Sequence, residues 1–479
     1  MRKKLFRKKD IGAMLREAGA TGELKRSLSV TNLVTLGIGA IVGTGIFVIT
    51  GSAAASYAGP ALTVSFLLSA VGCILTAFCY AEFAAMIPLS GSVYSYGYTT
   101  MGELLAWFIG WDLILEYLFS CSTVAVGWSG YMLSLLESIG IHIPKHIAGA
   151  TFIYSDETGW ALSGSIVNFP ALFIVALVTA FLFGGIRQSA IINNVIVVVK
   201  VAVILLFIGF GLWHIDSANW TPYIPENTGE FGKFGWSGIL RGAGVIFFAY
   251  LGFDALATAA QESRNPRRDM PKGILISLTV CAALYVAVTA VLTGIVSYKE
   301  LNVSAPLALA VDRIPNLSWL SPLIKLGAIA GLSSVILVMM LGQTRIYYAI
   351  SKDGLLPPFL SRIHPKYRTP HKATIFAGAA TCLIAGIFPI NVLGELVSIG
   401  TLMAFVIVCI SVVVLRRTRP ELHRPFKTPF VPFVPILGAL VCLAQMLSLP
   451  WGTWARLIGW MILGFVIYFA YGIKRSKLN

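Results

Sequence analysis

Between Ser27 and Ala81 the chain contains no Asp, Glu, Lys or Arg. Charge is scarce elsewhere too: charged residues make up 12% of the 479 positions, about half of what a soluble protein carries. This scarcity excludes an ordinary soluble domain. The uncharged run alone is long enough to cross a bilayer twice, at ~20 residues per crossing. Paired or framework cysteines are also missing. The seven cysteines (73, 79, 121, 281, 382, 409 and 442) lie in apolar stretches and form no CxxC pair, so they read as small buried hydrophobes. No HExxH-type spacing occurs, and the six histidines are scattered, so neither a metal nor an organic cofactor is expected. No nucleophile–base pair is evident, which argues against an enzyme. The first 26 residues are polar and basic, with no short apolar region or small-residue cleavage site, and do not resemble a cleaved signal.

What is present is apolar length. Hydrophobic residues make up 57% of the chain, and the mean hydropathy is +0.81. A membrane β-barrel would show short alternating segments, whereas these runs are long and continuous. Turn signals bound twelve of them, near 30–57, 60–87, 92–138, 168–185, 188–213, 236–261, 273–296, 321–350, 373–390, 392–415, 430–449 and 453–473. The third is longer than one span needs and should include a turn at its start. The expected fold class is an all-α polytopic membrane protein with twelve transmembrane helices.

With the N-terminus inside, 28 of the 36 Lys and Arg residues fall on cytoplasmic ends and seven on outer ends, leaving Lys200 within a span. Basic residues collect on the cytoplasmic side, so both termini are expected there, in a cell (inner) membrane. The basic cluster from Arg2 to Lys9 reads as a topological anchor; the alternative is contact with anionic headgroups. The net charge of +15 then needs no nucleic acid, which would require a basic soluble face. The expected partners are the bilayer and a small substrate; the sequence identifies no protein partner.

Glycine is abundant in one unexpected place. The first span contains 37-GIGAIVGTGIF-47, with Gly37, Gly39, Gly43 and Gly45. One explanation is packing, since Gly39-xxx-Gly43 allows helices to approach closely. The other is a deliberate break. The amides freed at the start of a second half-helix attract an anion, while freed carbonyls accept from a cation. Irregular backbone at membrane depth is tolerated where it lines a site. The sixth span repeats the pattern in 242-GAGVIFFAYLGFDALATAAQE-262. Spans one and six would each begin a set of five, the arrangement of an inverted five-plus-five repeat. The expected organisation is a basic tail (1–29), a first repeat (30–213), a second repeat (236–415), two appended helices (430–473) and a short tail (474–479).

Several separated motifs then agree. The GxxVGTGIF-like segment of span one, 91-GSVYSYGY-98, 109-IGWDLILEY-117, 246-IFFAYLGFDA-255 and 353-DGLLP-357 resemble the amino acid–polyamine–organocation superfamily. Within it they are most similar to bacterial relatives of the cationic amino acid transporters. The resemblance runs from about Ser27 to the end of the chain. It implies an alternating-access carrier with a central site between spans 1, 3, 6, 8 and 10. On that pattern the amides of Gly43, Thr44 and Gly45, with the Thr44 hydroxyl, hold the substrate carboxylate. The carbonyls of Ile41, Phe248, Ala249 and Leu251 hold its ammonium, and Phe248 is an aromatic gate whose ordinary alternative is a core phenylalanine.

Lys200 is the most informative single residue. It lies about ten residues, or ~15 Å, inside its span, too far to reach water easily by snorkelling. An intramembrane lysine is a functional hypothesis by default. Related folds without it often place a sodium ion between spans 1 and 8. Here an ammonium facing the Gly39 carbonyl and the Ser333 and Ser334 hydroxyls would take that place, so the proton is the expected coupling ion. Glu116 is a second buried charge, on one helix face with Asp112. The resemblance puts it near the side-chain pocket or the proton path; a structural carboxyl is the alternative. Glu82 and Asp254 read as structural, while Glu262, Arg264, Arg268 and Arg345 belong to inner loops and helix ends. Ile336 and Val338 of span eight would make the pocket apolar, favouring small or medium neutral amino acids; arginine or lysine with Glu116 as ligand is the alternative. A channel and a transporter-like sensor are the other classes. The first would need a ring of like charges and the second an added domain.

Overall fold

The computed structural model describes residues 7–9, 28–86, 92–155, 158–185, 190–253, 256, 263–367 and 369–477. Asp254 and Glu262 lie outside them. Each of the twelve apolar runs holds a helix. Among the described residues seven helical stretches are long and apolar enough to cross a membrane, and four shorter apolar helices accompany them.

The first span opens as α1 (Val30–Ile41), capped by the Ser29 hydroxyl, which accepts from the Asn32 amide. It resumes after the break over Gly45–Ala58. Next come α2 (Leu62–Met86), α3 (Ser92–Thr100) and α4 (Glu103–Ser138). The turn expected at the start of the third run is the junction between α3 and α4, at Gly102 (φ 99°). A feature absent from the sequence reading follows: a hairpin of β1 (Phe152–Ser155) and β2 (Gly159–Leu162), with Phe152 opposite Leu162. Then come α5 (Phe169–Phe183), α6 (Ala190–Gly211), α7 (Gly235–Ile246) and α8 (Pro266–Ile295). The chain continues through α9 (Pro306–Asp312), α10 (Leu320–Lys352), α11 (His371–Ile387) and α12 (Ile390–Thr418). It finishes with α13 (Phe433–Ser448) and α14 (Trp451–Ile467).

Helices in lipid satisfy their own backbone, so side-chain contacts decide how they assemble. The most extensive contacts join α4 to α10 and α2 to α8. These are spans three and eight, and spans two and seven. Each pair consists of counterparts under the five-plus-five scheme, as expected near a two-fold axis. Helix α6 shows how the periodicity orients a face. Val195 and Val198 are exposed, while Lys200, Val203, Ile204 and Phe207 are buried. The lysine shares its stripe with the core side and not with the lipid side.

Charged residues at the ends act as ties. The Glu82 carboxylate at the end of α2 accepts two hydrogen bonds from Arg416 of α12 (3.1 and 2.7 Å) and one from the Thr428 amide at 2.8 Å, with Arg424 at 3.4 Å. That is the structural role expected of it. Asp353, the acid of the DGLLP motif, pairs with Lys9 at 2.5 Å and accepts from the Tyr94 hydroxyl at 2.7 Å. At the opposite end Glu395 of α12 accepts from Thr453 (2.6 Å) and Arg456 (3.3 Å). Arg456 also lies over the Tyr154 ring of the hairpin.

Candidate functional site

The break in the first span has a local cause. Helix α1 ends at Ile41, Val42 turns extended (ψ 99°), and a π-turn begins at Gly45. At the start of the second half the Ile46 and Phe47 amides donate back to the Gly43 carbonyl at 3.2 and 3.3 Å, while Gly43 to Gly45 themselves follow the break with no regular turn before them. In the sixth span α7 gives way to a 3-10 turn (Phe247–Tyr250), then Leu251 is extended (ψ 143°) and Gly252 adopts φ 118°. Only glycine adopts that φ without strain.

The two breaks are pressed against each other. A Cβ on Gly45 would collide with the backbone of Ala249, and one on Gly252 would lie 2.7 Å from the Ala40 carbonyl carbon. Glycine at 45 and 252 is thus a requirement of the crossing itself. The closeness brings the Ile41 and Ala249 carbonyls to one hydroxyl. Tyr285 of α8, fully buried, lies 2.8 Å from both. A phenol has one proton and can satisfy one carbonyl at a time. The pair therefore retains unused acceptor capacity, which suits a group with several N–H donors. Phe248 differs. Its carbonyl already accepts from the Leu251 amide at 3.1 Å, and its own amide donates to Ser398 Oγ at 3.2 Å. Ser398, on α12, donates in turn to the Val245 carbonyl. It splints the second break, and the sequence reading missed it because it is one serine among many on an apolar helix.

Lys200 splints the first break. Its ammonium donates to the Gly39 carbonyl at 2.5 Å and to the Val42 carbonyl at 2.9 Å. Both acceptors lie at the end of α1, where no following turn supplies an amide. Gly39 was expected as a partner; Ser333 and Ser334 are not partners in this structure. Ser333 Oγ donates to the Ile329 carbonyl and accepts from Trp128, while Ser334 Oγ donates to the Gly331 carbonyl. Local bonds to the preceding turn, common for helical serines, turn both away from the lysine. Gly331 fits the expected neighbourhood instead, since a Cβ there would lie 3.2 Å from Lys200 Cδ.

A tight cavity of about 10 Å³, room for roughly one water molecule, lies between the breaks. Span one contributes Ile41, Gly43, Thr44 and Gly45, and span six Phe248 and Leu251. These are the residues expected for the two poles, together with Ala249 behind them. The remaining wall differs from expectation. Helix α10 presents Val335 and Met339, and α4 presents Ser120 and Val124. Ile336 is fully buried elsewhere, with its carbonyl 3.9 Å from Cys121 Sγ. The error is one residue, or ~100° around a helix. Glu116 is buried but does not line the cavity; it lies one turn beyond Ser120. Asp112 is fully buried against Gly400 of α12, and neither carboxyl oxygen has a hydrogen-bond partner among the described residues. Within the cavity two hydroxyls are equally unpartnered, Thr44 Oγ1 and Ser120 Oγ.

Two interrupted helices thus cross with carbonyls of both turned to one buried hydroxyl, an arrangement characteristic of a membrane carrier. The chain belongs to the amino acid permease family, whose model matches residues 28–468. It is 44% identical to the branched-chain amino acid permease BcaP of Bacillus subtilis over the full length of both chains. It is 45% identical to the methylthioribose transporter of the same organism, over 99% of each. A more distant relative is the vacuolar cationic amino acid transporter 4 of Arabidopsis thaliana, 36% identical over 83% of this chain and 64% of the relative. The protein is therefore a multi-pass membrane transporter of amino acids and not an enzyme.

Proposed function

We propose that this transporter accumulates medium-sized neutral L-amino acids, of the branched-chain kind, together with protons. The observation that carries the neutral preference is the cavity wall. Val124, Val335, Met339 and Leu251 are uncharged, and the buried carboxylates of α4, Glu116 and Asp112, stand outside it. A cationic side chain would need a buried counter-charge in contact. The name of the 44% identical relative supports the same reading. The amides of Gly43, Thr44 and Gly45 take the carboxylate. The carbonyls of Ile41 and Ala249 take the ammonium beside the Tyr285 hydroxyl. Both poles are backbone dipoles, so the empty site strands no charge.

Proton coupling rests on Lys200. It grips the end of α1 through two carbonyls, and the charged ammonium holds them by charge-assisted hydrogen bonds that the neutral amine makes only weakly. Losing a proton loosens that grip, and regaining one restores it. The break in span one then opens or closes with the proton. Both termini lie in the cytoplasm of a bacterial cell membrane in this scheme.

The test is uptake of radiolabelled leucine into sodium-free proteoliposomes, with and without an inward proton gradient and with unlabelled arginine as competitor. Accumulation that needs the gradient and ignores arginine is expected. Accumulation without a proton gradient would remove the coupling, and strong competition by arginine would move the pocket toward cations. Stereoselective counterflow separates a carrier from a channel.

A further inference from the structure

The Ser120 hydroxyl is fully buried, lines the substrate cavity, and has no hydrogen-bond partner among the described residues. Leaving such a group unpaired costs ~1–3 kcal/mol. Most buried helical hydroxyls avoid that cost by bonding the preceding turn, as Ser122 and Thr123 of the same helix do (2.9 and 2.7 Å). Ser120 does not. It is the single hydroxyl that α4 gives to a wall otherwise made there of Val124.

Its position along α4 measures the substrate. Ser120, Val124 and Gly127 fall at i, i+4 and i+7 and share one face. Thr44, at the carboxylate pole, packs at Gly127, where a Cβ would lie 2.9 Å from its methyl and 3.4 Å from its hydroxyl. Seven residues of helix separate Gly127 from Ser120, or ~10 Å. Subtracting a hydrogen bond of ~3 Å at each end leaves ~4–5 Å for the substrate. That is the span from a carboxylate oxygen to a γ or δ atom of the side chain, at ~1.5 Å per bond.

We propose that Ser120 is a specificity-determining residue whose hydroxyl takes an uncharged polar atom at the γ or δ position of the substrate side chain. The class is a neutral amino acid with an amide or thioether there. Purely aliphatic substrates still fit, but leave the hydroxyl bare. This inference rests on the neutral amino acid reading of the same cavity and adds the chemistry at its far end. A site built to hydrogen-bond a substrate group discriminates against the analogue lacking it.

The experiment compares near-isosteric pairs in proteoliposomes: asparagine against leucine, and methionine against norleucine. Initial rates are measured for the wild type, Ser120→Ala and Ser120→Thr. In the wild type both polar members are carried. In Ser120→Ala the asparagine-to-leucine ratio of kcat/KM falls about tenfold, corresponding to ~1.4 kcal/mol. The methionine ratio falls in the same direction by less, because sulfur is a weak acceptor. Ser120→Thr keeps the wild-type order. If Ser120→Ala loses all transport, ligand-induced thermal stabilisation of the purified protein reads the same ratio. A ratio unchanged within twofold in either assay overturns the proposal, as does a wild type that carries leucine but not asparagine. A wild type that carries none of the four overturns the neutral amino acid reading itself, and this proposal with it.

Discussion

The two helix breaks look alike in sequence and are held in different ways. Both put glycine at a crossing, and both offer a carbonyl to Tyr285. The first is splinted by an ammonium, Lys200 on Gly39 and Val42. The second is splinted by a neutral hydroxyl, Ser398 on Val245 and Phe248. A proton can change the first and not the second. On the proposed coupling through Lys200, this asymmetry distinguishes the half that a proton would change from the half held by neutral groups alone.

The comparison can be broken most severely at the lysine. Lys200→Met keeps the volume but removes both donors, so gradient-driven leucine accumulation is expected to fall at least tenfold. Counterflow under equal pH should survive, and retained accumulation would show that the ammonium has no coupling role. Next in size are the crossing glycines. Gly45→Ala drives a methyl into Ala249, and overpacking costs ~1–3 kcal/mol. Substrate affinity, read by thermal shift, should drop by tenfold or more, whereas Gly459→Ala, at a helical position with open space, leaves it unchanged.

Tyr285→Phe sharpens the comparison at the point both breaks share. The empty protein loses ~1–2 kcal/mol, because two buried carbonyls lose their donor. A substrate ammonium restores what was lost, so the stabilisation by leucine should grow relative to the wild type. A smaller shift would place the ammonium elsewhere. Ser398→Ala is the mildest change, ~1 kcal/mol. It should lower thermal stability without altering the pH dependence of uptake, since its hydroxyl does not titrate in the physiological range. A changed pH profile in Ser398→Ala would erase the distinction between the two breaks.

Most of the architecture was legible in the sequence because membrane spans announce themselves by length and lack of charge. The break in span one was legible because four glycines in a short apolar run are costly unless something uses them. The expected poles came from the family resemblance, and Ile41, Gly43, Thr44, Gly45, Phe248 and Leu251 do come together around one cavity. What could not be read was which face each helix turns inward. Val335 and Met339 face the cavity and Ile336 does not, yet all three are apolar, so periodicity in a helix surrounded by lipid and protein alike carries little contrast. Ser333 and Ser334 were placed on Lys200 by their neighbourhood, but their hydroxyls bond within their own helix or, for Ser333, to Trp128. Ser120, Ser398 and Tyr285 have no distinguishing sequence context at all.

The sequence by itself determined the number of spans, the two interrupted ones and the presence of one cation deep in the membrane, since these are properties of composition along a line. Only the tertiary structure decided which carbonyls that cation holds, which hydroxyls remain bare in the cavity and which acid stays outside it. Those outcomes depend on helix rotation and on distances of a few ångströms between residues far apart in the chain. Packing settles them through side chains whose type alone does not distinguish one partner from another.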